Sequence, residues 1–110
     1  MLFDKLKDVW DNKNAQGFLD LHHDDFEWYF HSNGRVIKKS DWTSDDILKW
    51  MNRTTVTELR CVYENEDIHV RHGIAHFESG DKEAVMTVIL KKGGLFWRME
   101  AASTPLQPND

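Results

Sequence analysis

The chain is poor in the residues that announce chemistry on their own. It has one cysteine, Cys61, in 110 residues, which excludes an internal disulfide and a thiolate metal cluster. Strand alternation places that cysteine on an apolar face, where a free thiol packs as a small hydrophobe. The two prolines, Pro105 and Pro108, both fall at the C-terminal end, so the tail over residues 104–110 is expected to be loosely ordered. No apolar run approaches the roughly 20 residues of a membrane span. The start, Met1-Leu2-Phe3-Asp4-Lys5-Leu6-Lys7-Asp8, breaks each apolar stretch with a charge and does not read as a signal peptide. A cytoplasmic protein with no membrane partner is the expectation. Positive clustering is missing too. The 14 Lys and Arg are scattered among 19 Asp and Glu, for a net charge of −5, which excludes the basic face that nucleic acid needs. No phosphate-cradling loop, nucleophile elbow or zinc spacing occurs, so no cofactor or metal is expected.

Aromatic bulk is what the chain has. Five tryptophans and six phenylalanines are spread along it, enough to fill a core or to wall a cavity for a flat apolar ligand. At this length the expectation is one domain, residues 1–110, with a single core. Leu2, Phe3, Leu6, Val9 and Trp10 form one stripe at helical spacing, which predicts a first helix. Phe18, Leu19, Leu21 and His22 predict a short second one. Phe26, Trp28 and Phe30 then alternate with Glu27, Tyr29 and His31, which predicts a strand closed by the turn Ser32-Asn33-Gly34. Arg35-Val36-Ile37 is a brief extended arm. A third helix begins at Ser40 or Thr43, either of which can cap it; Thr43-Ser44-Asp45-Asp46 has the spacing of a capping box, and Ile47, Trp50 and Met51 would be the buried side.

Residues 55–102 read as four consecutive strands, punctuated at Glu64-Asn65-Glu66-Asp67, Ser79-Gly80-Asp81 and Lys92-Gly93-Gly94. Such short connections make neighbours antiparallel. One face of this sheet carries Leu59, Cys61, Tyr63, Ile68, Val70, His72, Ile74, Ala84, Met86, Val88, Leu90, Leu95, Trp97, Met99 and Ala101. The other carries Glu58, Arg60, His69, Arg71, Glu83, Thr87, Arg98 and Glu100. Alternation of this kind means one packed and one wet or partner-bound side. The apolar face is taken as the inner one, with His72 as the titratable group in its wall. Helices followed by an antiparallel sheet define an α+β domain, and three modest helices inside a twisted sheet leave a cone-shaped hollow.

The runs Leu21-His22-His23-Asp24-Asp25-Phe26-Glu27 and Cys61-Val62-Tyr63-Glu64-Asn65-Glu66-Asp67 resemble the nuclear transport factor 2-like superfamily. With Phe77, Gly80, Glu83-Ala84-Val85-Met86, Gly94, Arg98-Met99-Glu100 and Thr104-Pro105-Leu106, they are similar to its SnoaL-like branch. The resemblance implies a cone-shaped curved antiparallel sheet wrapped around three N-terminal helices (the cystatin-like arrangement), a deep pocket and often a homodimer through the sheet. Ketosteroid isomerase shares this fold and needs an aspartate base and an oxyanion hole of tyrosine and protonated aspartate. Counted along this chain, those places fall at about Phe30, at Leu6 or Lys7, and at Met86. None carries the required group, so steroid isomerase chemistry is rejected.

Three readings follow. The first is a protein that holds a small hydrophobic molecule in a pocket lined by Trp28, Phe30, Trp50, Tyr63, His72, Met86, Trp97 and Met99. The second is a cofactor-free lyase, cyclase or isomerase acting on a hydrophobic carbonyl compound, with His72 as base, helped by Asp25 or His31. The third is a dimerisation module with a filled core. His22-His23-Asp24-Asp25 packs metal-ligand types together, but adjacent side chains point apart, so no metal site is read there.

Overall fold

The computed structural model describes residues 1–30 and 32–106. His31 and residues 107–110 lie outside the described residues. Three helices come first or between strands: α1 (Leu2–Asp11), α2 (Ala15–Asp20) and α3 (Ser44–Arg53). The strands are β1 (His22–Phe30), β2 (Arg35–Lys38), β3 (Thr54–Glu64), β4 (Ile68–Phe77), β5 (Lys82–Lys92) and β6 (Leu95–Pro105). They form one six-stranded sheet in the order β2-β1-β6-β5-β4-β3. The α+β reading holds, with one difference: β1 lies parallel to β6, while all other neighbours are antiparallel. The parallel pair arises because the long α3–β5 excursion separates β1 from its partner, and only short hairpins force antiparallel pairing.

The start of α3 follows a sequence signal. The Thr43 hydroxyl accepts from the Asp46 N–H at 3.1 Å, and the Asp46 carboxylate accepts from the Thr43 N–H at 3.1 Å. This reciprocal capping box satisfies two donors the helix leaves unpaired. In α1, Leu2 and Leu6 are buried and Val9 and Trp10 pack against the core, as their spacing requires. His22 does not belong to α2. It opens β1 and is 1% exposed, surrounded by Phe18, Phe26, Trp42 and Phe96 rings at 4.6–5.7 Å. The C-terminal strand also runs further than expected: Pro105 pairs with Glu83, and the Leu106 N–H donates to the Lys82 carbonyl at 2.9 Å. Residues 104–106 are therefore held by β5.

The sheet bends where β3 carries extra residues. Its register with β4 shifts between Thr57 and Arg60, and Glu58 there adopts φ 53°. Opposite this bulge stands Gly73, whose missing Cβ would lie 3.0 Å from Val56 Cγ1 and 3.3 Å from Leu59 Cδ1. A bulge facing a glycine lets the strand curl over its neighbour. The helices fill the concave side, with Phe26, Ile47, Ile89 and Phe96 fully enclosed between them and the sheet. No helix among the described residues is long and apolar enough to cross a membrane.

Candidate functional site

The curvature and the small side chains on its inner surface leave a cavity of about 340 Å³. Its floor on β4, β5 and β6 is built around Gly73, Ala75, Val85 and Ala101. Its walls are aromatic: Trp10 and Phe18 from the helices, Trp50 from α3, and Trp28 and Phe30 from β1. Trp28 stands 4.4 Å from Phe30 and 6.2 Å from Trp50, ring centroid to centroid.

On β4 and β5 the inner face is the opposite of the one expected, whereas Leu59 of β3 and Met99 and Ala101 of β6 face the cavity as expected. Cross-strand partners share a face, and the cavity residues Arg71, Gly73 and Ala75 pair with Thr87, Val85 and Glu83. His72 pairs with Met86 and Arg60, and Val70 with Val88 and Tyr63, so these residues point away from the cavity. Four of the expected lining residues, His72, Tyr63, Met86 and Trp97, are thus outside it. Tyr63 is 57% exposed. Trp97 is covered instead by Lys92 at 5.0 Å and Arg98 at 4.3 Å, both over its ring. The other four, Trp28, Phe30, Trp50 and Met99, line the cavity. Trp42 packs into the core against Phe18, His22 and Phe26.

The proposed base therefore has no access to a bound molecule. Asp25, its candidate helper, is exposed on β1, where its carbonyl accepts from Arg98 Nη1 at 2.6 Å. His31, the other helper, lies outside the described residues. The counted oxyanion position also shifts. Met86 faces outward, and the cavity positions beside it are Val85 and Thr87. Among the described lining residues the acidic one is Glu83, and tyrosine is absent.

The concave face carries polar groups that alternation had assigned to the wet side: His69, Arg71, Glu83 and Thr87. At the narrow end they form a chain. The Glu64 carboxylate accepts from Lys91 Nζ at 3.0 Å, from His69 Nδ1 at 3.0 Å and from the Phe3 N–H at 3.2 Å. Arg71 Nη1 donates to His69 Nε2 at 3.3 Å. A guanidinium can only donate and a carboxylate only accept, so His69 is the neutral Nδ1–H tautomer. Burial is the main force lowering the His69 pKa to about 4, and the Arg71 charge adds to it. Burial alone would raise the Glu64 carboxyl, but the bonds from Lys91, His69 and Phe3 outweigh it and hold the group below its ordinary value. The Arg71 guanidinium is pushed down to about 10 by burial, partly offset by Glu64. It remains charged at neutral pH. Among the described residues, no group of three or more His, Cys, Asp and Glu side chains is placed to hold a metal ion.

One signal in the sequence pointed here: the run His69, Arg71, Gly73, Ala75, Phe77 sets two minimal side chains in mid-strand on one face. Small residues on a packed face leave space, and space beside an arginine marks a site.

No protein-family model matches this sequence, and no curated protein matches it. Solved structures do match in three dimensions. A candidate ketosteroid isomerase from Kribbella flavida superposes with a TM-score of 0.68 at 13% identity, covering 97% of this chain and 78% of that one. A nuclear transport factor 2-like protein from Burkholderia xenovorans gives 0.66 at 10% identity, over 92% and 85% of the two chains. Another, of unknown function, from Cytophaga hutchinsonii gives 0.66 at 16% identity, over 90% and 93%. Together with the curved sheet, the enclosed helices and the cavity between them, these matches show that the chain has the nuclear transport factor 2-like fold.

Proposed function

We propose that this chain is a SnoaL-like binding protein that holds a small hydrophobic molecule and pairs with a second copy of itself through the outer face of its sheet. The cavity of about 340 Å³ carries the reading. That volume falls within the range of small-molecule pockets, and aromatic walls with few polar groups are their usual lining. It favours a binding protein over a dimerisation module with a filled core. The enzymatic reading loses its support, because His72, its base, faces away from the cavity.

A neutral fluorescent probe, N-phenyl-1-naphthylamine, should bind wild-type protein and be displaced by other apolar molecules. Ala101 lies on the cavity floor, so Ala101→Trp fills the space from below. Probe affinity is expected to fall at least tenfold in that variant, with the circular dichroism spectrum unchanged. Equal binding by the folded variant would place the probe elsewhere and sink the reading.

The outer face supports the pairing. Met86, Val88 and Leu90 of β5 are 38%, 37% and 45% exposed, opposite His72, Val70 and Ile68 across the ladder. Four strands about 4.8 Å apart and seven residues of about 3.3 Å give this face roughly 450 Å² in projection. The apolar part is the central β4–β5 strip, and an exposed apolar strip rimmed by polar residues suits an interaction site. The surrounding Arg60, Arg98 and Glu100 carry both signs, as a face that matches itself across a two-fold axis can. Sedimentation of wild-type protein should give a dimer, and Val88→Glu should give a folded monomer. A wild-type monomer at high concentration would remove the pairing without touching the pocket.

A further inference from the structure

We propose that the cavity is built for an apolar carboxylic acid, whose carboxylate sits on the Arg71 guanidinium beside the Thr87 hydroxyl. The inference rests on the pocket reading above and names the class of its ligand.

Charge balance at the narrow end comes first. Lys91 and Arg71 are cations, Glu64 is the carboxylate among them, and His69 is neutral. Glu64 is fully engaged by Lys91, His69 and the Phe3 N–H. It meets Arg71 only through the imidazole. Among the described residues no carboxylate lies within 4.0 Å of the guanidinium. One positive charge is left facing a cavity with apolar walls. A partly buried charge without a counter-ion is costly unless something pairs with it.

Geometry comes second. Of the five N–H donors of Arg71, the bond made to protein among the described residues is the one to His69 Nε2. The Phe96 ring lies 5.6 Å from the guanidinium carbon. One edge of the planar group is thus fixed and the group lies against an aromatic surface. Its remaining donors form a fork suited to two carboxylate oxygens. Thr87 is the direct cross-strand partner of Arg71 and lines the same cavity, so its hydroxyl can supply one more hydrogen bond.

A second donor without an acceptor supports an acceptor-bearing ligand. The Trp28 indole N–H is buried, has no hydrogen-bond partner among the described residues, and belongs to the cavity wall. Buried donors are rarely left unpaired. Glu83 sets the limit on the other side. It lines the cavity four residues along β5 from Thr87, roughly 13 Å at about 3.3 Å per residue. A carboxylate there repels a second acidic group, so a monocarboxylate is favoured over a dicarboxylate. The body of the ligand would lie between Gly73 and Ala75 on the floor and the Trp10 and Trp50 rings above.

The test uses 2-naphthoate, cinnamate and octanoate, each beside its methyl ester, titrated into wild-type protein by calorimetry at pH 7. At least one acid should bind ten-fold or more tightly than its ester, and added salt should weaken the acid alone. Arg71→Met should abolish that preference while leaving ester affinity within about twofold. Thr87→Val, nearly isosteric, should weaken the acid severalfold and spare the ester. Esters and acids binding equally to wild-type protein would overturn the carboxylate site and leave the pocket reading standing. Failure of every acid and every ester to bind would overturn both. The wild-type comparison needs no variant, so it decides the matter even if Arg71→Met does not fold.

Discussion

Acidification from pH 7 to pH 4 is expected to unfold this protein, with the melting temperature falling steadily once the pH drops below about 6.5. Two enclosed histidines cause it. His22 is 1% and His69 0% exposed. Burial pushes the His22 pKa down to about 3, against an opposing hydrogen bond to the Phe18 carbonyl, with Arg71 and Lys39 lowering it further. His69 is lowered to about 4. In the unfolded chain both titrate near the ordinary 6.5. Between those values the unfolded state holds protons that the folded state refuses, so stability rises with pH and is lost as pH falls. Each proton is worth about 1.4 kcal/mol per pH unit. Two histidines from pH 6.5 to 4 therefore cost at most roughly 7 kcal/mol, comparable to the whole stability of a small domain. Glu64, held below its ordinary value, adds to the loss in the same direction at the acid end. Thermal melts followed by circular dichroism from pH 8 to pH 3.5 would check this. A melting temperature unchanged between pH 6.5 and 4.5 would mean that neither ring stays neutral in the folded state.

The second large effect is expected from Phe96→Ala. Phe96 is fully buried and touches both histidines, at 5.2 Å from His22 and 4.9 Å from His69. Its ring also lies beneath Arg71. Removing a buried phenylalanine side chain costs about 3–5 kcal/mol, because the lost contacts leave a hole that the surroundings refill only in part. The melting temperature should drop by roughly 10–20 °C at this chain length. Chemical denaturation with an unchanged slope would show that the loss lies in the folded state. A loss under 1 kcal/mol would mean that the narrow end of the cone repacks freely. Water admitted beside His22 and His69 should also flatten the acid transition, which ties the two experiments together.

Much of the fold could be read directly. The stripe Leu2, Leu6, Val9 and Trp10 gave α1, Ser40 and Thr43 were the two possible starts of α3 and the structure uses Thr43, and the turns at Gly80 and Gly93-Gly94 gave the hairpins. The partition of β4 and β5 into two faces was also correct as a partition. Ile68, Val70, His72 and Ile74 do lie together, and so do His69, Arg71, Gly73 and Ala75. The assignment of inside and outside was reversed on these two strands, while on β6 Met99 and Ala101 face inward as read. The physical reason is that each face has a claim to burial. The outer one is apolar enough for a partner, and the inner one is diluted by Arg71, Thr87 and Glu83 at the site. The richer stripe of large apolar residues therefore marked the face left open in a single chain. The Thr57–Arg60 bulge compounded this on β3, since an extra residue there breaks the period of two.

Alternation by itself determined which residues share a face, because successive strand side chains must point to opposite sides. The single cysteine determined that no disulfide forms within the chain. Only the tertiary structure decided which face the helices cover. That choice depends on the direction in which the sheet curls, at the bulge opposite Gly73, and on β1 joining β6 from the far end of the chain. It turned His72 outward and brought Arg71 to the wall of the cavity.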